Sequence, residues 1–136
     1  MPNLLTTIPQ SWADPIFTAQ QAATLLAQPH HILLAIQAGQ GGHLLARIMP
    51  HTPADLLTLY VPENCRNQGH AKQLMHALLI HAQAAPCPAL TLEVRASNTA
   101  AITLYTALGL QILTRRSAYY TNPAEDAVVM QLEIIH

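Results

Sequence analysis

The hydrophobic period of this chain changes twice between Leu56 and Arg95, and that change limits the folds open to it. Leu56–Val61 follows Pro53 and reads as a strand. Gly69–Gln83 then places Ala71, Leu74, Met75, Leu78, Leu79 and Ala82 at offsets 0, 3, 4, 7, 8 and 11, one apolar stripe along an amphipathic helix. Pro86 and Pro88 close the helix. Ala89–Arg95 (ALTLEVR) alternates strictly: Leu90, Leu92 and Val94 share one face, and Thr91, Glu93 and Arg95 the other. Strand, helix and strand in this order predict a mixed sheet with helices packed on it.

The flanks fit the same scheme. Thr18–Gln28 carries helix formers and stops at Pro29. His31–Gln37 and His43–Met49 are apolar runs separated by AGQGG, a hairpin signature. Asn98 occupies an N-cap position, Thr99–Leu108 reads as a short helix, and Gly109 suits the left-handed residue after it. Leu110–Ser117, the polar turn TNPAED and Ala127–Ile134 complete the pattern as two strands. The expected fold class is α/β (α+β), one domain over residues 1–136, of a length whose core buries roughly two-thirds of the unfolded surface.

Composition narrows the function classes. Apolar residues make up 51% and charged residues 10%, the reverse of a disordered chain. Six basic against seven acidic residues, with Lys72 the single lysine, provide no basic stripe, so no direct nucleic-acid binding is expected. No apolar run approaches the ~20 residues that span a bilayer, and no secretory signal precedes the domain, so the expectation is a cytoplasmic protein. Cys65 and Cys87 lack metal-ligand spacing, and His76 and His81 are five apart, off a shared helix face; no metal site is expected. Cys65 has no histidine placed to activate it as a nucleophile.

The stretch LYVPENCRNQGHAK (Leu59–Lys72) is the first candidate for chemistry. A strand ends at Val61 and a helix begins near Gly69. Amide N–H groups at a helix start have no intrahelical partners and favour an anion. Gly69 and the small Ala71 let a diphosphate approach the main chain, and Lys72 adds charge. An ordinary strand-to-helix loop has the same local pattern, so the loop alone leaves both readings open.

The second candidate is LEVRASNTAAITLYTALGL (Leu92–Leu110). This run resembles the C-terminal half of the GCN5-related N-acetyltransferase superfamily, and within it the RimI group of ribosomal-protein alanine N-terminal acetyltransferases. Arg66-x-x-Gly69-x-Ala71 matches the superfamily's acetyl-CoA signature at the family's spacing, and Arg116-x-x-Tyr119-Tyr120 and Glu125-Asp126-Ala127 resemble the same group. The resemblance spans Leu56 to Ile134. It implies a mixed, mostly antiparallel sheet flanked by helices, and acetyl-CoA as co-substrate. It places the pyrophosphate loop on Asn67, Gln68, Gly69, His70, Ala71 and Lys72. It places pantetheine contacts on the main chain of Leu59, Tyr60 and Val61, a cofactor-binding Asn on Asn98, the general base on Glu93 and the general acid on Tyr105. His70 and Leu110 depart from the family pattern. Only ten residues precede Ser11–Phe17 (SWADPIF), where the family has a strand and a helix, so the N-terminal side of the sheet is expected to be shortened and its edge open.

Elementary chemistry agrees with these roles. An α-amine has a pKa near 8, so it attacks a thioester once a carboxylate, directly or through one water, removes its proton. Tyr105 lies seven residues past Asn98, two turns along one helix face, where a phenol can protonate the departing thiolate. Without the resemblance, Glu93 reads as a solvated strand carboxylate, Tyr105 as a half-buried aromatic and Arg115–Arg116 as a solvated strand end. Three functions stand open. The first is transfer of acetyl to a protein N-terminal α-amine, such as that of a ribosomal protein. The second has a lysine side chain or small amine as acceptor, and the third is a non-catalytic CoA-binding module.

Overall fold

The computed structural model describes residues 1–121 and 123–135. Asn122, within the expected TNPAED turn, and His136 lie outside the described residues. The strands are β1 (Asn3–Leu5), β2 (His31–Ile36), β3 (Gly42–Arg47), β4 (Ala54–Tyr60), β5 (Ala89–Arg95), β6 (Gln111–Tyr120) and β7 (Glu125–Glu133), and the helices are α1 (Ala19–Leu26), α2 (His70–Ala84) and α3 (Thr99–Ala107). The strands form one sheet in the order β1-β2-β3-β4-β5-β7-β6. Every neighbouring pair is antiparallel except β4 and β5. This is the mixed, mostly antiparallel architecture expected.

Two apolar layers sandwich the sheet. On one face α2 buries Leu74, Met75, Leu78 and Ala82 completely, against Leu44, Leu90 and Met130 of the strands. Ala71 and Leu79, at the margins of the expected stripe, are half-buried. On the other face Ala22 of α1 meets Leu33 and Leu45, with Trp12 and Phe17 closing the layer. A capping box starts α1: the amide of Gln21 donates to Thr18 Oγ1 at 3.1 Å, and the Thr18 amide donates to Gln21 Oε1 at 2.9 Å.

The N-terminal end differs from expectation in one respect. Asn3–Leu5 pair with Leu33–Ala35, so the first strand is present in shortened form and covers that stretch of the β2 edge. Three residues are too few to carry a legible alternation. The helix that the family has between this strand and Ser11–Phe17 has no counterpart among the described residues, as expected of a shortened front, and residues 6–18 run as a loop. The β6–β7 hairpin is longer than its sequence pattern suggests. Tyr119 and Tyr120 belong to β6, past an irregularity between Arg116 and Tyr120 in which Ala118 has φ of 51°. Among the described residues no helix is long and apolar enough to cross a membrane.

The sheet opens at its parallel pair. β4 and β5 are in register at Ala54–Leu90, Asp55–Thr91 and Leu56–Leu92, and beyond that each pairs only with its outer neighbour. A bulge at Leu57 shifts the β3–β4 register just where the two strands part. The base of this opening rests on α2, so its geometry depends on that helix's packing. Leu74→Ala, which removes a fully buried side chain, is expected to lower unfolding free energy by about 2–5 kcal/mol, read from urea denaturation followed by circular dichroism.

Candidate active site

The gap between β4 and β5 is a cleft of about 270 Å³, walled by Leu59 and Thr58 of β4, Glu93 and Arg95 of β5, Asn98, and Tyr105 of α3. A second cleft of about 380 Å³ adjoins it, between Phe17, Asp55, Thr91 and Tyr119. Ile16, Leu57, Glu93 and Tyr120 line both. Glu93 thus stands where two binding surfaces meet, reached through the break in the sheet.

Each wall is fixed by local structure. Tyr105 sits in the last turn of α3, which ends in a Schellman motif: Leu110 N–H donates to the Tyr105 carbonyl at 3.0 Å and Gly109 N–H to that of Thr106 at 3.0 Å. Gly109 takes the left-handed conformation this requires, with φ of 98°. The Tyr105 ring is buried, 7% exposed. Asn98 caps α3 by accepting from the Ala101 amide at 3.1 Å, so its side-chain NH₂ is the group left to donate into the cleft. The β5-facing edge of Leu57–Tyr60 has no ladder partner among the described residues, so alternate main-chain groups of this stretch, which includes Leu59 and Tyr60, open onto the gap. Val61 lies just past β4 and its carbonyl accepts from Arg66 Nε at 2.9 Å.

The loop before α2 has left-handed residues at Asn67 (φ 61°) and Gly69 (φ 79°). No atom lies within 4 Å of where a Cβ on Gly69 would stand, so that side of the turn is open. Among the described residues α2, unlike α1 and α3, has no side-chain cap on its first amides. Gln68 and Lys72 are exposed and Ala71 half-buried. Such a crook of N–H groups fits a diphosphate. The His70 imidazole is engaged elsewhere: its Nδ1 bonds the Gly41 carbonyl at 2.6 Å, tying the loop to the β2–β3 hairpin. The main chain of His70 is then what remains for an anion.

Two arginines beside the site escape sequence reasoning. Arg116 Nη1 donates to Glu93 Oε1 at 2.9 Å, and its guanidinium lies 4.1 Å from the centre of the Tyr119 ring. Hydrogen bonding to Glu93 in turn raises the pKa of the Tyr119 phenol, with burial adding to the shift. Arg95 stacks on Tyr120 at 4.5 Å and donates to the Thr121 and Pro123 carbonyls and to Glu125. Arg116 is therefore a partner of Glu93 and not a free strand end. The two lie on strands separated by β7, so no spacing in the sequence signals the contact.

The Acetyltransferase (GNAT) family model matches residues 3–110. The chain is 33% identical over 128 residues to the [Ribosomal protein bS18]-alanine N-acetyltransferase of Escherichia coli (strain K12), covering 90% of this chain and 81% of that protein. Its identity to the protein of the same name from Haemophilus ducreyi is 33% over 143 residues, covering 95% and 99%. The crystal structure of the ribosomal-protein-S18-alanine N-acetyltransferase from Escherichia coli superposes with a TM-score of 0.78 at 24% identity, over 100% of this chain and 96% of that one. With the opened sheet and the uncapped phosphate-type loop, these similarities place the chain in the GNAT acetyltransferase family, as an acetyl-CoA-dependent N-acetyltransferase.

Proposed function

We propose that this enzyme acetylates the N-terminal α-amine of a protein, with a ribosomal protein as the natural class of acceptor. The observation that carries this reading is the position of Glu93 in the wall shared by the two clefts. One cleft is continuous with the groups suited to acetyl-CoA, and the other is left for the acceptor. Asp55 and Glu93 are the charged side chains among the lining residues of the acceptor cleft; both are acidic, and each is also paired with an arginine, Arg47 and Arg116 respectively. The similarity to bS18-alanine N-acetyltransferases over nearly the whole chain supports a ribosomal acceptor.

In this reading the main-chain amides of Asn67, Gln68, Gly69, His70, Ala71 and Lys72 hold the pyrophosphate, with the Lys72 ammonium nearby. The open edge of Leu59 and Tyr60, the main chain of Val61 and the Asn98 amide hold the pantetheine arm. Glu93 removes a proton from the ammonium through one water. Arg116 bonds Oε1, which orients the carboxylate. The amine nitrogen attacks the thioester carbonyl carbon; the C–N bond forms, the C–S bond breaks with its electron pair leaving on sulfur, and the nitrogen's second proton is lost to water. Attack is direct, with no acyl-enzyme.

Tyr105 faces the departing sulfur. Burial, reinforced by the neighbouring Tyr120, pushes its phenol up to about 12, so it is fully protonated at neutral pH. A thiol, near 8.5, is the stronger acid. The phenol therefore acts mainly by donating a hydrogen bond as negative charge develops on sulfur, and any proton it hands over is regained from solvent.

Glu93→Gln is expected to lower kcat by about 10²–10⁴-fold with the acetyl-CoA dissociation constant nearly unchanged, measured by steady-state kinetics and calorimetry. Competing peptides that carry only an α-amine or only an ε-amine test the acceptor; preference for the ε-amine would refute the N-terminal assignment. The raised Tyr105 pKa stabilises the fold fully below the unfolded phenol's value, about 10, and that contribution is lost as pH rises toward about 12. Tyr105→Phe should flatten this alkaline limb of the stability profile and remove one late-ionising phenol from the ultraviolet titration.

A further inference from the structure

Asp14 is a buried carboxylate that acetyl transfer does not use. Its side chain is 0% exposed. Its Oδ2 accepts from Thr58 Oγ1 at 2.6 Å and bonds His43 Nε2 at 2.8 Å, and its Oδ1 accepts from the amides of Ile16 at 2.8 Å and Phe17 at 2.9 Å. Burial alone raises the pKa of such a group, but the bonds from His43, Thr58, Phe17 and Ile16 outweigh it and the net direction is down. Asp14 is thus an anion, His43 Nε2 is the donor, and the bonds are charge-assisted. Trp12 stacks on the His43 ring at 3.9 Å and donates its indole N–H to the Phe17 carbonyl at 2.9 Å.

These donors come from parts that must be held in register for an acceptor to meet a thioester. Ile16 and Phe17 wall the acceptor cleft. Thr58 lies beside the β4 bulge and lines the other cleft. His43 is the β3 residue paired with Tyr60. One carboxylate joins the loop on the acceptor side to the strand on the acyl side. A single buried anion with four converging donors has little freedom to shift, because each lost bond leaves charge without a partner.

We infer that Asp14, with His43 and Thr58, is a positioning cluster that sets the acceptor wall relative to β4 and thereby governs acceptor affinity. The inference rests on the reading that the cleft beside Glu93 receives the acceptor amine. Thr58→Val removes one bond with little change of volume, and Thr58→Ser keeps the hydroxyl. With an N-terminal peptide as acceptor, Thr58→Val is expected to raise peptide KM about tenfold, several-fold more than it changes acetyl-CoA KM or kcat. Thr58→Ser should restore the peptide KM, and Asp14→Asn should exceed Thr58→Val. If Asp14→Asn does not fold, the Thr58 pair decides alone. A lowered melting temperature with unchanged peptide KM, or equal rises in both KM values, would overturn the proposal. Hydrogen exchange at the Ile16 and Phe17 amides, read without any acceptor, separates this inference from the proposed function. Faster exchange in Thr58→Val supports the cluster even if the wild type proves inactive on peptides, and unchanged exchange overturns it whatever the acceptor.

Discussion

The site depends on the parting of β4 and β5. A parallel pair in register only from Ala54–Leu90 to Leu56–Leu92 leaves main-chain groups on both strands facing a gap. Buried peptide groups without partners are costly, so a chain keeps such an opening only where water or a ligand fills it. The Leu57 bulge turns β4 away at the point of separation, and α3 with its Schellman end supplies the far wall. Glu93 lines both clefts, beside the break in the sheet. Closing the strands by two more residues would place Glu93 against β4 and remove both clefts from its reach.

The elements legible in the sequence are those whose burial repeats. The α2 stripe and the alternation of β5 are read directly from apolar spacing, and β5 begins and ends at the residues that spacing indicates. Asn98 and Gly109 are legible because capping and left-handed geometry select those residue types. Three features leave no such trace. β1 is only three residues long, and Leu4 and Leu5 are adjacent apolar residues without alternation. The tip of the β6–β7 hairpin is held by side-chain bonds from Arg95, which no turn composition encodes. The Asp14 cluster joins residues 29 and 44 positions apart, and each alone is an unremarkable polar residue. Site residues placed through the resemblance, such as Glu93 and Tyr105, do line one cleft. The residues that hold that cleft in shape became visible only with the fold.

His70 illustrates how local pattern and tertiary context divide the work. From the sequence its imidazole stands in a diphosphate loop as a departure from the family pattern. The fold turns the ring toward the Gly41 carbonyl, where a Cβ on residue 41 would lie 2.7 Å from Ile36 Cγ2 and 3.2 Å from the His70 ring. The loop is thereby braced against the β2–β3 hairpin while its amides stay available. The side chain secures the main chain, whose amides are left uncapped among the described residues. A substitution at Gly41 would disturb the loop without touching any group that meets the ligand.

The charges of β5 follow a comparable logic. Glu93 and Arg95 alternate on one face, and each meets an opposite charge from the β6–β7 hairpin: Arg116 for Glu93, and Glu125 for Arg95. Both pairs are partly exposed, and such pairs add little to stability because solvent screens them and ordering long side chains has an entropic cost. Their effect lies in direction. Each guanidinium also lies over a tyrosine ring, Arg116 over Tyr119 and Arg95 over Tyr120, so the pairs set two aromatic side chains at the mouth of the acceptor cleft. Stacking on a flat ring fixes the plane of the guanidinium, and the guanidinium fixes the carboxylate it bonds. The orientation of Glu93 is therefore set in part from the hairpin, so a displacement of the hairpin acts directly on its carboxylate.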